Sequence, residues 1–224
     1  MYYLFSFGTE VDKVFLSIST FLFSIFTGFF ISRQASRFNK VRETVTKFDG
    51  IMSGIYRSSG HIAKKLQTAI GKVIVSHYDH IFETGKWNIH FLEKSTTLTD
   101  IHKLLDKHVV DEDIVKLPNQ ALGAVVKSLV GAQDVRKQMV ALHEERIPAE
   151  QWILIWFFAT ILVGTVSTMT SVGELFPSIL KAAFVISIFS VLLILYRLNN
   201  LVFTEKIMGQ HSAEDVVGII EGKK

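Results

Sequence analysis

The chain has 224 residues, 49% of them hydrophobic, and a mean hydropathy of +0.33, which suits a membrane protein carrying one modest polar domain better than a single soluble core. Its 24 basic and 21 acidic residues leave a formal net charge of +3, and there is no interleaving of aromatic and basic residues, so the balance argues against a nucleic-acid reader. The lack of cysteine excludes disulfides, thiolate metal sites and thiol catalysis.

In chain order, residues 1–13 form a short leading segment ahead of the first run long enough to cross a hydrocarbon core, Val14 to Ile31 within a span of residues 14–32. Glu10 and Asp12 beside Lys13, and the lack of a small-residue cleavage site after the apolar run, mark a retained span and not a signal peptide. Ser17, Thr20, Ser24 and Thr27 mark one face of this span. The same spacing continues as an apolar seam through Ile31, Phe38, Val41, Val45, Phe48, Met52, Ile55, Ile62, Leu66, Ala69 and Val73. The seam predicts a helix leaving the membrane, which bends or breaks at Gly50, Gly54 or Gly60, since a straight helix drifts by about 20° per heptad.

The region 33–150 reads as helical throughout. Leu98, Ile101, Leu104, Leu105 and Val109 form a short amphipathic patch; Asp111, Glu112 and Asp113 read as a solvated break. After Pro118, the positions Leu122, Val125, Leu129, Ala132 and Met139 predict another helix face. Pro148 suits the first turn of a second span, residues 151–172, where its missing N–H costs nothing. A turn at 173–177 leads to a third span, 178–198, and a tail at 199–224. Arg33, Arg37, Lys40 and Arg42, then Arg136, Lys137 and Arg146, then Arg197 and Lys206 all demand the cytoplasmic side. The expected topology is N-terminus outside, 33–150 inside and C-terminus inside, with Glu174 the only charge in the outer turn and Lys181 snorkelling to the outer headgroups. The fold class is thus an all-α integral membrane protein, with three transmembrane helices and a helical cytoplasmic domain between the first and second.

Gly54-Ile55-Tyr56-Arg57, then Ile62-Ala63-Lys64-Lys65-Leu66, Tyr78 and Trp87, resemble the helical middle of the bestrophin-like domain family. Ile147-Pro148 leading into Trp152 and Trp156 is similar to that family's second passage into the membrane. The stretch from Leu195 through Asn200 to Ser212-Ala213-Glu214 stands where the family has an Asp-Arg-Pro-Phe-like turn and a short helix. The Pro-Phe pair is missing here, and Gly85-Lys86 stands where the family carries an acid before the tryptophan. The resemblance implies an organisation like that of bestrophins, which are oligomeric anion channels with an axial pore, a narrow apolar neck and a helical cytoplasmic portion. It also implies chloride-like anions as permeant species and, by analogy only, five copies.

Several residue sets carry a functional reading beside a structural one. Ser17, Thr20, Ser24 and Thr27 could line a pore, or let neighbouring helices pack closely. Phe23, Phe26 and Phe30 could form a dewetting neck, or face lipid. Lys13, Arg33 and Arg37, repeated around an oligomer, would concentrate anions at the mouths, while Arg33 and Arg37 also serve topology. His77, His80 and Glu83 are a weak candidate for a metal, spread too widely around a helix for one chelating face. No cofactor is expected. The chain has no phosphate-cradling loop, no nucleophile elbow and no carboxylate pair within a span, so an enzyme is not expected. Two functions remain: a homo-oligomeric ion channel, anion-preferring by resemblance, and a non-conducting membrane scaffold whose cytoplasmic helices recruit partners.

Overall fold

A computed structural model describes residues 9–84, 96–111, 119–168, 175–201 and 210–223. Every element among them is an α-helix: α1 (Thr9–Gly60), α2 (Lys64–Thr84), α3 (Thr97–Asp111), α4 (Asn119–Glu144), α5 (Ala149–Thr168), α6 (Leu175–Asn199) and α7 (Gln210–Glu221). The Lys13 side chain, Gly85-Lys86 and Trp87, His90, Glu112 and Asp113, Pro118, positions 173–174 of the expected outer turn with Glu174, and Lys206 lie outside the described residues, and positions 175–177 of that turn are already helical, in α6. Among the described residues three helical stretches are long and apolar enough to cross a membrane, one in α1 from Val14, one within 120–168 and one in α6. Only 22%, 22% and 17% of their apolar windows are buried within the chain, so most of that surface is left to lipid or to other protein.

The chain divides into two compact units, 1–36 with 146–202 and 37–145 with 203–224. In the first, Phe23 and Phe30 of α1 pack with Ile155, Ala159 and Leu162 of α5 and with Ile188, Leu192 and Leu195 of α6. Phe26 stacks on Phe158 with ring centroids 5.7 Å apart. Pro148 sits one step ahead of α5, and its carbonyl accepts from Trp152 N at 3.2 Å; it is the N-cap, not a first-turn residue. The neighbouring Ile147 N–H donates to Asn199 Oδ1 at 2.8 Å, a buried bond tying the start of α5 to the end of α6. α6 ends at Asn199, and two residues on Leu201 turns the chain with a φ of 55° and a buried side chain. The left-handed backbone costs a leucine about 1–2 kcal/mol, which its burial offsets.

In the second unit, the expected seam holds on α1 from Val41 onward, where Val41, Val45, Phe48, Met52 and Ile55 are all buried, whereas Phe38 is only half-buried. The helix runs through Gly50 and Gly54 without breaking and ends at Gly60. There the chain turns, with Ile62 N and Ala63 N both donating to Ser59 O at 3.1 Å. Gln67 closes the turn: its Nε2 donates to Tyr56 O at 3.3 Å, a carbonyl that also accepts from Ser59 Oγ at 2.7 Å. A side chain on Gly60 would collide with that amide, at 2.6 Å from Cβ to Nε2.

The turn corrects the sequence register. The expected line Ile62, Leu66, Ala69, Val73 continues only at Leu66; the buried line of α2 is Leu66, Ile70, Ile74, Tyr78 and Ile81. Residues 61–63 leave the helix, so its phase restarts and the apolar face moves by one position. Leu98, Ile101 and Leu105 of α3 are buried, as are Val125, Leu129, Ala132, Val135 and Met139 of α4. Leu104, Val109 and Leu122 are only half-buried. α7 packs on α2 through buried Ala213 and Val216, and Tyr56 Oη donates to Ile220 O at 3.3 Å. It ends at Gly222, whose φ of 73° lets Lys223 N reach back to Gly218 O at 2.9 Å.

Candidate pore helix and its surroundings

Successive side chains on a helix are about 100° apart, so residues seven apart nearly coincide in direction. Ser17 and Ser24 form one such row, Thr20 and Thr27 another, and the structure treats the rows differently. Ser17 and Ser24 are exposed, Thr20 is half-exposed, and Thr27 is buried. The Thr27 hydroxyl donates to Phe23 O at 2.6 Å, one helical turn back, so its proton is engaged within its own helix.

The phenylalanine stripe points elsewhere. Phe23 and Phe30 are buried in the chain's own core, continuing a line that includes buried Ser19 and Gln34, and Phe26 is held by Phe158. On the same helix Phe15, Ile18, Phe21, Ile25 and Phe29 are exposed instead. Exposed apolar side chains thus flank the exposed serines.

Arg33 is exposed, but Arg37 is not. Arg37 Nε donates to Leu142 O at 2.6 Å and one terminal nitrogen donates to His143 O at 2.7 Å. These are carbonyls of the last turn of α4, which have no partner within the helix and carry the negative end of its dipole. A forked cation satisfies both groups and neutralises that end. Sequence reasoning placed Arg37 at a mouth; its position near a span end gave no sign of a partner 105 positions away.

His77, His80 and Glu83 are not brought together. The Nδ1 of His77 lies 3.1 Å from Thr97 Oγ1, and its ring packs against Phe48 and Tyr78, while His80 and Glu83 are exposed. Burial, helped by the charges of Arg136 and His80, pulls the His77 pKa from 6.5 down to about 4, which keeps the ring neutral. Among the described residues no group of such side chains is placed to hold a metal.

The strongest polar feature of the second unit escaped the sequence reading. Asp49 and Tyr78 are both fully buried, and Tyr78 Oη donates to Asp49 Oδ1 at 2.6 Å. Burial raises the Asp49 carboxyl from 3.8 to about 6, against the opposing pull of the Tyr78 bond and of Ser212 nearby. Oδ2 has no hydrogen-bond partner of ordinary length. Tyr78 itself is pushed well above its usual value by burial and by the Asp49 charge. The available signal was an acid directly beside Phe48, four residues after Val45 and three before Met52, and so on the buried face of the helix.

Three apolar helices with mostly outward-facing side chains, and a helical unit between the first and second, define an all-α integral membrane protein. The chain belongs to the bestrophin-like family, whose domain matches residues 6–201, and α7 lies beyond the matched stretch. That family is one of channels and scaffolds, not of catalysts. No curated protein and no solved structure matches the chain.

Proposed function

We propose that the protein is a homo-oligomeric channel for chloride-like anions, with α1 lining the axis. The observation that carries this reading is the exposed serine row of α1, Ser17 and Ser24, with Thr20 at its edge, on a helix whose phenylalanines Phe23 and Phe30 are taken up by the core. Hydroxyl protons on that row would solvate a passing anion, and exposed Arg33, with Lys13 at the other end, would raise the local anion concentration. The clusters of basic residues put the N-terminus outside and residues 33–150 and 199–224 in the cytoplasm. The family resemblance supports the anion preference and, by analogy with bestrophins, five copies.

The test is ion flux through purified protein in liposomes, with copy number from native mass spectrometry. A closed ring of four or more copies with anion conductance supports the proposal, and a well-folded oligomer silent across ions and voltages ends it. A second reading, a membrane scaffold, draws support from Val126 and Val130, exposed on α4 in the second unit. A monomer or a stable hetero-complex would favour it.

A further inference from the structure

Three helices of the second unit meet at one buried carboxyl. Asp49 comes from α1; from α2, Tyr78 Oη donates to its Oδ1 at 2.6 Å, and from the first turn of α7 the Ser212 hydroxyl reaches it as well. Oδ2 sits in the same interior with no partner at ordinary hydrogen-bond length. The carboxyl is therefore part of the seat on which α7 docks. Ala213 and Val216, one and four positions after Ser212, are the buried face of α7, and at its far end Tyr56 Oη donates to Ile220 O at 3.3 Å. With 12 residues, α7 is short for a helix standing alone in water, so it depends on this seat. Lifting it away removes one wall around Asp49 and lets water reach the carboxyl.

The other ionisable groups around the junction are differently placed. On α1, Lys47 is exposed. On α2, His77 turns its ring against Phe48 and Tyr78 and its Nδ1 to Thr97 of α3, while Asp79 and His80 are exposed. Arg136 of α4 is half-buried and acts on His77. On α7, His211, Glu214 and Asp215 are all exposed. Burial is what chiefly governs Asp49, lifting its pKa from 3.8 to about 6 against weaker pulls from Tyr78 and Ser212. Because burial disfavours the charged form, proton loss strains the closed junction more than the open one.

We infer that Asp49 is a proton-operated latch for α7: the neutral carboxyl holds the helix on α2, and its ionisation releases it. The closed state binds the proton more tightly than the open one, so docking is strongest at low pH and weakens as pH rises through about 6. Every group involved lies in the second unit, so the latch does not depend on the channel reading.

The chain has no cysteine, so Val216→Cys places a lone thiol on the buried face of α7. Its maleimide labelling rate in the full-length, detergent-solubilised protein is divided by that of Gln133→Cys, at an exposed position of α4, which removes the thiol's own pH dependence. The ratio should rise about tenfold between pH 5 and 7.5, a range in which His77 stays neutral. In the same background, Asp49→Asn should keep it low and flat, and His211→Gln should leave the rise in place. Tyr78→Phe removes a bond that favours the charged carboxyl and should move the rise to higher pH. A flat ratio in the parent overturns the inference, and so does a rise that survives Asp49→Asn or vanishes in His211→Gln. If Asp49→Asn does not fold, Tyr78→Phe decides, and an unmoved midpoint there overturns the latch too.

Discussion

The Tyr78 hydroxyl donates to Asp49 Oδ1 at 2.6 Å in the interior of the second unit, joining α1 to α2 through a carboxyl that has no exposure to water. Around it the packing is apolar, so the bond is worth more to the fold than a surface contact of the same length. Tyr78→Phe keeps the ring and removes the donor, leaving a buried acceptor without its partner. The expected loss is about 1–3 kcal/mol, read as a lower unfolding midpoint of the detergent-solubilised protein. An unchanged midpoint would mean that Asp49 finds another donor.

Asp49 and His77 give the unit opposing pH responses. The folded state binds the Asp49 proton more tightly than the unfolded chain does, so that stabilisation is complete below 3.8 and is lost as pH rises through about 6. The folded state holds the His77 proton less tightly, so its contribution is complete above 6.5 and is lost as pH falls through about 4. Each difference corresponds to about 3 kcal/mol, and over the shared window they offset. Asp49→Asn leaves His77 unopposed, so its melting temperature should fall relative to the parent between pH 6.5 and 4. A parallel profile in the two proteins would remove His77 from the balance.

Arg33 and Arg37 should separate cleanly. Arg37→Met strips two α4 carbonyls of their donor and should cost about 1.5–3 kcal/mol in stability, with no matching change in ion preference per assembled oligomer. Arg33→Gln, at an exposed position, should leave the melting midpoint within about 0.5 kcal/mol and lower anion conductance if the channel reading holds. Thermal scans and liposome flux on both variants check the pair.

Gly71 is a spacing residue. A Cβ there would lie 3.0 Å from the Tyr56 ring and 3.1 Å from Ile220. Gly71→Val should therefore displace α7, costing about 1–3 kcal/mol and exposing the 210–221 stretch to limited proteolysis. Protection equal to the parent's would show that Tyr56 or Ile220 gives way without loss.

Much of this architecture was legible in the residues because a membrane span is a matter of length and composition. The run from Val14 announces itself, and so does the core face Val41 to Ile55, where one helix keeps one phase. The register beyond Gly60 was lost because a three-residue turn resets helical phase without altering the apparent spacing. Arg37 and Asn199 were illegible for a different reason: a basic residue near a span end already has a sufficient explanation, and their partners lie 105 and 52 positions away. The exposed and buried halves of the hydroxyl stripe were equally hidden, since rotation of a helix about its axis is set by what packs against it.

The seat that Gly71 and Tyr56 provide for α7 also bears on how the molecule is made. The second unit's core takes Ala213 and Val216 from beyond α6, so it stays incomplete while the two later spans are still being translated and inserted. Most of that unit emerges from the ribosome early and must wait, with the α7 site on α2 open, for α7 to arrive. Final closure of the unit is therefore a late event in biogenesis, and a chain stalled after its third span would display an unfilled apolar surface to the cell's quality-control machinery.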